Sequence, residues 1–250
     1  MIDFRKRMRA SSSGKSLIIL ANDLDENKVD KLESRTLTNI KTLNKYLCAI
    51  KLNFHVILPL SKTSLTKINR AAHDVGLQTI ADIKLNDIGN TNRVAIERLW
   101  ECGFDAVIVN PIMGPKNLKE LVETSHKDKH GVIALVHMSH RGAKLGYGLG
   151  VRDPITSQML ILHELFLKWS YLLHVDGVIV GATVPELITS CNKKIKSRCE
   201  IYSPGVGTQG GDPKKTLDAG ADYLIIGRTI LNSNDPISEA KKLQKLTLKS

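Results

Sequence analysis

The strongest constraint on this chain is a periodic one. Short apolar runs rich in β-branched residues recur at 17–20, 48–52, 79–83, 106–109, 132–136, 178–180, 200–202 and 223–226. Each run is too short for a helix and continuous instead of alternating, which is the pattern of a strand covered on both faces. Between them the apolar spacing becomes helical: Val29, Leu32, Ile40, Leu43 and Leu47 share a face, as do Leu65, Ile68, Ala72 and Val75, and again Leu118, Leu121 and Val122. Gly76, Gly103 and Gly220 stand where helix C-terminal caps belong. Asp153-Pro154, Asp212-Pro213 and Asp235-Pro236 each put a capping carboxylate before a proline at a helix start. Residues 159–173 carry Met159, Leu160, Leu162, Leu165, Phe166, Trp169, Leu172 and Leu173 and read as one helix apolar over much of its surface.

Strand then helix, about eight times in 250 residues, matches the count and length of a single closed (β/α)8 TIM barrel. An open doubly wound sheet fits less well, because its first turn is usually glycine-rich and here it is Asp23-Leu24-Asp25-Glu26. No linker or low-complexity break interrupts the pattern, so residues 16–250 read as one barrel domain. Residues 1–15, with Arg5, Lys6, Arg7, Arg9 and a serine run, read as a frayed basic tail.

Composition narrows the partners. The chain has 36 Lys and Arg against 25 Asp and Glu, a net charge of +11, so an anionic ligand is expected. Aromatic residues make up only 4%, which counts against nucleic acid held by stacking, although a basic tail leaves a nucleic-acid-binding barrel as a rival reading. No run approaches the roughly 20 apolar residues of a membrane span, so no membrane partner is expected. Cys48, Cys102, Cys191 and Cys199 lie far apart, which suits reduced thiols in a cytoplasmic protein. The eight histidines show no metal-ligand spacing, and no metal site is expected.

Function in such a barrel sits where the strands end. Asp82 and Lys84 end the third run two residues apart, so on an extended chain their side chains share a face, and Asp87 follows in a loop. Lys51 ends the run before. A rim salt-bridge network would have the same form as a catalytic array of alternating Lys and Asp. The loop at 203–213 places Gly205, Gly207, Gly210 and Gly211 within seven residues, and Arg228 follows one unit later. Glycines there would let backbone N–H groups approach an anion, and loops seven and eight are the usual phosphate site of such barrels. A glycine-rich surface turn is the plain alternative.

Taken together, Asp82-x-Lys84-x-x-Asp87-Ile88 with Thr91, Leu20-Ala21-Asn22-Asp23, Ile50-Lys51, Met138-Ser139-His140, the loop at 203–213 and Gly227-Arg228 resemble orotidine 5′-phosphate decarboxylase of the short, archaeal-like type. The resemblance runs in order through residues 17–232. Two positions depart from it: Gly89, where the family usually has proline, and Arg141, where proline is common. A sugar-phosphate enzyme such as hexulose-phosphate synthase shares the D-x-K-x-x-D segment but uses Mg²⁺, and usually lacks Ile88, Thr91 and the Q-G-G-D loop.

The resemblance implies decarboxylation of orotidine monophosphate to UMP, the last step of de novo pyrimidine synthesis, with no metal and no organic cofactor. It implies Lys84 as proton donor, with Lys51, Asp82 and Asp87 completing the charged array. It places Asp23 on a ribose hydroxyl, Ser139 on the pyrimidine, and Gln209, Gly227 and Arg228 on the phosphate, with Pro204, Gly205, Gly207, Gly210 and Gly211 in the loop that binds and closes over it. It further implies a homodimer in which Asp87, Ile88 and Thr91 reach the neighbouring subunit's site.

Overall fold

A computed structural model describes residues 3–195 and 198–248. Positions 1–2 of the expected tail and 249–250 of the expected barrel lie outside the described residues. The strands in chain order are β1 (Ile18–Ala21), β2 (Ala49–Asn53), β3 (Gln78–Leu85), β4 (Ala106–Val109), β5 (Gly131–His137), β6 (Gly150–Arg152), β7 (Met159–Ile161), β8 (Gly177–Val180), β9 (Glu200–Pro204) and β10 (Tyr223–Ile226). Eight of them, all but β6 and β7, pair in parallel and close into a barrel, with β1 joined to β10 through Ile18↔Leu224 and Leu20↔Ile226. Every apolar run identified from the sequence is a barrel strand.

Strand alternation explains why the runs are continuous. Ile18, Leu20, Ile50, Leu52, Val107, Val109, Val178, Val180, Leu224 and Ile226 face outward into a core shared with the helices. Ile19, Ala21, Ala49, Ile80, Ala106, Ile108, Ile133, Leu135, Ile179, Tyr202, Tyr223 and Ile225 fill the lumen. Successive side chains thus enter two different cores, and neither can be polar. Two strand-opening glycines make room for large lumen groups. A Cβ on Gly177 would collide with the Tyr202 ring, and one on Gly131 with the ring of Phe4.

That last contact corrects the reading of residues 1–15. Residues Phe4–Ser12 form a helix, α1, N-capped by the Asp3 carboxylate, which accepts from the Lys6 backbone N–H at 2.9 Å. Phe4 and Met8, one turn apart on the same face, are buried and plug the bottom of the lumen. The arginines seat on the strand-start rim: Arg7 pairs with Asp105 at 3.3 Å, Arg9 with Glu200 at 2.8 Å, and Arg5 donates to the Arg198 carbonyl at 2.8 Å. These arginines are thus seated on their own barrel and do not lie in a free tail.

The same rim carries a repeated device. Asp105, Asp176 and Asp222, each just before a strand, accept backbone N–H bonds from Thr79, Val132 and Ile201 on the neighbouring strand at 2.7 to 2.8 Å. His73 and His126 add bonds to Asp105 and Asp176 at 2.8 and 2.9 Å.

Two further expectations are corrected. Asp153-Pro154 starts no helix, because the Asp153 carboxylate accepts from the N–H groups of Ile155 and Thr156 and folds a turn between β6 and β7. Met159, Leu160 and Ile161 belong to β7, and the helix begins at Leu162. Lys168 reaches back from that helix to the buried Asp153 carboxylate at 2.6 Å and ties the hairpin down. Gly76, Gly103 and Gly220 do adopt the left-handed conformation of C-terminal caps. Among the described residues no helix is long and apolar enough to cross a membrane.

Removing the plug should cost core stability. Phe4→Ala is expected to lower the unfolding free energy by about 3 kcal/mol, read as a shift in urea midpoint. The rim also predicts a pH dependence. The hydrogen bond to Asp105 raises the His73 pKa above its ordinary 6.5, against the opposing effect of burial. A raised folded pKa gives stability that is full below the ordinary value and is lost as pH rises through the folded one. The urea midpoint should therefore fall across the neutral to mildly alkaline range, and His73→Gln should flatten that slope.

Candidate active site

The candidate side chains occupy the next inward positions beyond the lumen layer. Ala49 faces in and so does Lys51; Ile80 faces in and so does Asp82; beyond Ala21 and Ile225 come Asp23 and Gly227. Polar groups at the strand ends thus inherit an inward direction from the apolar residues beneath them.

Lys51 is the centre of the array. Its ammonium is buried and donates to Asp23 Oδ1 at 3.1 Å and to Asp82 Oδ2 at 2.9 Å. Lys84 donates to the other Asp82 oxygen, Oδ1, at 2.7 Å. Burial alone would push the Lys51 pKa down, but Asp82 and Asp23 overcome it and hold it above the ordinary lysine value. Burial pushes Asp82 up, and the two ammonium groups overcome that and hold it below the ordinary carboxylate value. Asp82 is thus ionised between two cations, and Lys84, 35% exposed, is the one that faces open space.

β3 is not regular to its end. Its pairing with β4 shifts register between Ala81 and Leu85, and Lys84 itself has φ +48°. A non-glycine residue there carries a cost of about 1 kcal/mol. The expected shared face of Asp82 and Lys84 is therefore reached through a distorted strand end.

Asp23 is fixed through its neighbour. Asn22 is fully buried, donates from Nδ2 to Thr36 Oγ1 at 2.9 Å, and accepts from Asn39 Nδ2 at 2.8 Å. Both partners lie on the helix Val29–Leu43, so the end of β1 is bolted to the helix that follows.

Ser139 is enclosed by backbone. A Cβ on Gly181 would stand 2.6 Å from Ser139 Cα, and one on Gly205 2.6 Å from Ser139 Cβ. Thr183 Oγ1 donates to the Ser139 carbonyl at 3.0 Å.

The glycine loop differs from its expected use. Gly205, Gly207 and Gly210 all have positive φ, but the Gly207, Gly210 and Gly211 N–H groups bond within the loop, to Gly211, Gly207 and Gly205 carbonyls at 2.7 to 3.0 Å. In this structure these glycines make tight turns possible, and those three N–H groups are not turned toward a ligand. A Cβ on Gly207 would also strike Thr229, whose Oγ1 accepts from Thr208 N–H at 3.1 Å.

A cavity of about 660 Å³ opens at this end of the barrel, within the usual range for small-molecule sites. Asp23, Lys51, Asp82, Lys84, Ser139, Pro204, Gly205, Gln209, Gly227 and Arg228 all line it; Gly207, Gly210 and Gly211 do not. Asp87, Ile88 and Thr91 are exposed on the outward loop and the helix start beyond β3, away from the cavity of their own chain. The Asp87 backbone is held there by Asn92, which accepts its N–H at 3.0 Å and donates to its carbonyl at 2.6 Å. Asn53, Asp25, Arg35, His140 and Thr229 also line the cavity and were not read from the sequence as site residues. Asn53 carries a usable signal, a polar residue ending β2; Arg35, in mid-helix, carries none. Among the described residues no cluster of three or more His, Cys, Asp or Glu is suited to a metal ion.

The profile of the orotidine 5′-phosphate decarboxylase / HUMPS family matches residues 16–243. The orotidine 5′-phosphate decarboxylase of Pyrococcus abyssi is 32% identical over 91% of this chain and 97% of its own length. The crystal structure of orotidine 5′-phosphate decarboxylase from Pyrococcus horikoshii superposes with a TM-score of 0.75 at 32% identity, covering 92% of this chain and 99% of that one. That of the Methanocaldococcus jannaschii enzyme complexed with inhibitor BMP superposes at 0.76 and 26% identity, covering 93% and 98%. With a family match from residue 16 to residue 243 and a barrel mouth built from the residues that carry the motifs, this chain belongs to the orotidine 5′-phosphate decarboxylase / HUMPS family.

Proposed function

We propose that this protein decarboxylates orotidine 5′-monophosphate to UMP, the closing step of de novo pyrimidine synthesis, without metal or organic cofactor. The observation that carries the reading is Asp82 held between Lys51 and Lys84 at 2.9 and 2.7 Å, in a cavity that Arg228 also lines. In the reaction the bond from the pyrimidine carbon to the carboxylate breaks, CO₂ leaves, and the electron pair stays on the carbon. That carbanion is poorly delocalised, so stabilisation has to come from the site. An ammonium already fixed beside the carbon meets charge that develops only in the transition state, at no cost of reorganisation. Lys84 Nζ then gives a proton to the carbon, and its exposure to the cavity lets solvent restore that proton.

Asp82 pairs with Lys84 and aims it, and Lys51 helps keep Asp82 ionised. In this reading Asp23 binds a ribose hydroxyl, Ser139 the pyrimidine, and Gln209, Gly227 and Arg228 the phosphate, and all five line the cavity. Arg228 offers two coplanar donors to phosphate oxygens. Asp23 and Asp82 are already satisfied by ammonium groups, which favours a metal-free site over a Mg²⁺ site. The four cysteines are unpaired, which suits the cytoplasm.

The protein acts as a homodimer in this reading. Asp87, Ile88 and Thr91 point away from their own cavity, and Ile88 is 67% exposed, as suits a loop that completes a second copy's site.

The purified protein should lower the ultraviolet absorbance of orotidine monophosphate, unaffected by a chelator, while Lys84→Ala loses turnover by at least about a thousandfold. No turnover by the unmodified protein, or full turnover by the variant, overturns the reading. Shared sites predict complementation: Lys84→Ala and Asp87→Ala, each impaired alone, should regain activity when mixed and allowed to exchange subunits. One mixed site then holds both an intact Lys84 and an intact Asp87.

A further inference from the structure

The cavity holds more positive charge than its own carboxylates use. It is lined by Asp23, Asp25 and Asp82 and by Arg35, Lys51, Lys84 and Arg228. Lys51 takes Asp23 and Asp82, and Lys84 takes Asp82. Two guanidinium groups, Arg228 and Arg35, remain against one carboxylate. A phosphate monoester brings about −1.5 to −2 charges near neutral pH, which one guanidinium does not balance and two do.

The barrel order puts these two groups on neighbouring units. Arg228 follows β10, Arg35 lies on the helix that follows β1, and β1 pairs with β10. The two units meet closely at this end, since a Cβ on Gly227 would stand 2.9 Å from the Ala21 carbonyl. Leu231 and Asn232, just beyond Arg228, line the same cavity as Arg35.

Arg35 is also weakly committed where it stands. Its guanidinium lies 3.4 Å from Glu26 Oε2, well beyond the roughly 2.7–2.9 Å of a firm charge-assisted bond. The other Glu26 oxygen accepts the Lys28 N–H at 3.3 Å. Half of the Arg35 side chain is in solvent, so it can turn without breaking core contacts.

We propose that Arg35 is a second phosphate-binding guanidinium, parked on Glu26 in the free protein and handed to the phosphate when the nucleotide enters. The inference rests on the reaction proposed above and deepens its phosphate subsite. It makes Glu26 a competitor of the substrate, which a merely structural ion pair would not be.

The test is steady-state turnover of orotidine monophosphate at fixed ionic strength by the unmodified protein, Arg35→Ala, Arg35→Lys and Glu26→Gln, with UMP and uridine as competing inhibitors. Arg35→Ala should raise KM about five- to tenfold with kcat little changed, the worth of one half-exposed charge-assisted bond, and Arg35→Lys should recover part of it. UMP inhibition should weaken by the same factor and uridine inhibition should not move. Glu26→Gln should lower KM, opposite in direction to Arg35→Ala. An unchanged KM in Arg35→Ala, equal weakening of UMP and uridine, or a raised KM in Glu26→Gln overturns the role of Arg35 and leaves the reaction standing. No turnover by the unmodified protein overturns the reaction, and the inference with it.

Discussion

The buried ammonium of Lys51 is the interaction on which the barrel mouth depends. Taking a lone ammonium out of water costs several kcal/mol, and the site is tolerable only because carboxylates arrive from both neighbouring strands. Those carboxylates come from the ends of β1 and β3, and they reach Lys51 only in the observed register, with Ala21 opposite Lys51 and Asn53 opposite Asp82. A slip of one residue in β2 would turn Lys51 out into the apolar layer that Ile50 and Leu52 now fill, turn those two inward, and leave Asp23 and Asp82 without their shared ammonium. The charged array is therefore a test of correct barrel closure as well as the centre of the proposed chemistry. It is held in place by apolar burial elsewhere, since an ion-paired cluster of this kind is a poor source of stability by itself.

The opposite end is closed and stitched. At the strand-start rim the lumen is stopped by Phe4 and Met8, and the repeated Asp105, Asp176 and Asp222 stitch neighbouring strands together. Burial raises the Glu200 pKa, and Arg9 and Arg5 beside it oppose that. The same charge that looked available to an external partner is thus used to seat a helix. The two rims divide the labour as parallel barrels generally do, with chemistry where strands end and support where they begin.

The barrel was legible because its signal is redundant. Eight runs repeat one pattern, and a single misreading would not have hidden it. Asp82 and Lys84 were legible for a local reason, alternation, although the strand bends out of register before it ends. Helix α1 was not legible: only Phe4 and Met8 mark its buried face, among arginines and serines that resemble any solvated segment. The β6–β7 hairpin was hidden by Asp153-Pro154, since an Asx turn and a helix cap draw on the same side-chain oxygen. The glycine loop was found, but its local hydrogen bonding was not legible, because positive φ and free N–H groups are both reasons for glycine and sequence does not separate them. Arg35 was invisible, since nothing in a polar helix face says which side chain overhangs a cavity.

Charge placement explains why the reaction suits this arrangement. In the proposed chemistry the substrate brings a phosphate and a carboxylate, and as CO₂ leaves, negative charge moves from the carboxylate to the ring carbon without changing in amount. A site with more cations would bind both states equally and gain nothing in rate. What matters in the proposed reaction is that the cation beside the carbon is fixed before the charge develops. Lys84, joined to Asp82 at 2.7 Å, would meet that condition in the proposed reaction. The more distant cations then serve a different end. In the proposed reaction Arg228 and Arg35 would bind the phosphate, which does not change as CO₂ leaves, and that binding energy would hold the ring against the pair. Of the +11 net charge, the useful part is defined by position, and the strain at Lys84 is one measure of how tightly that position is specified.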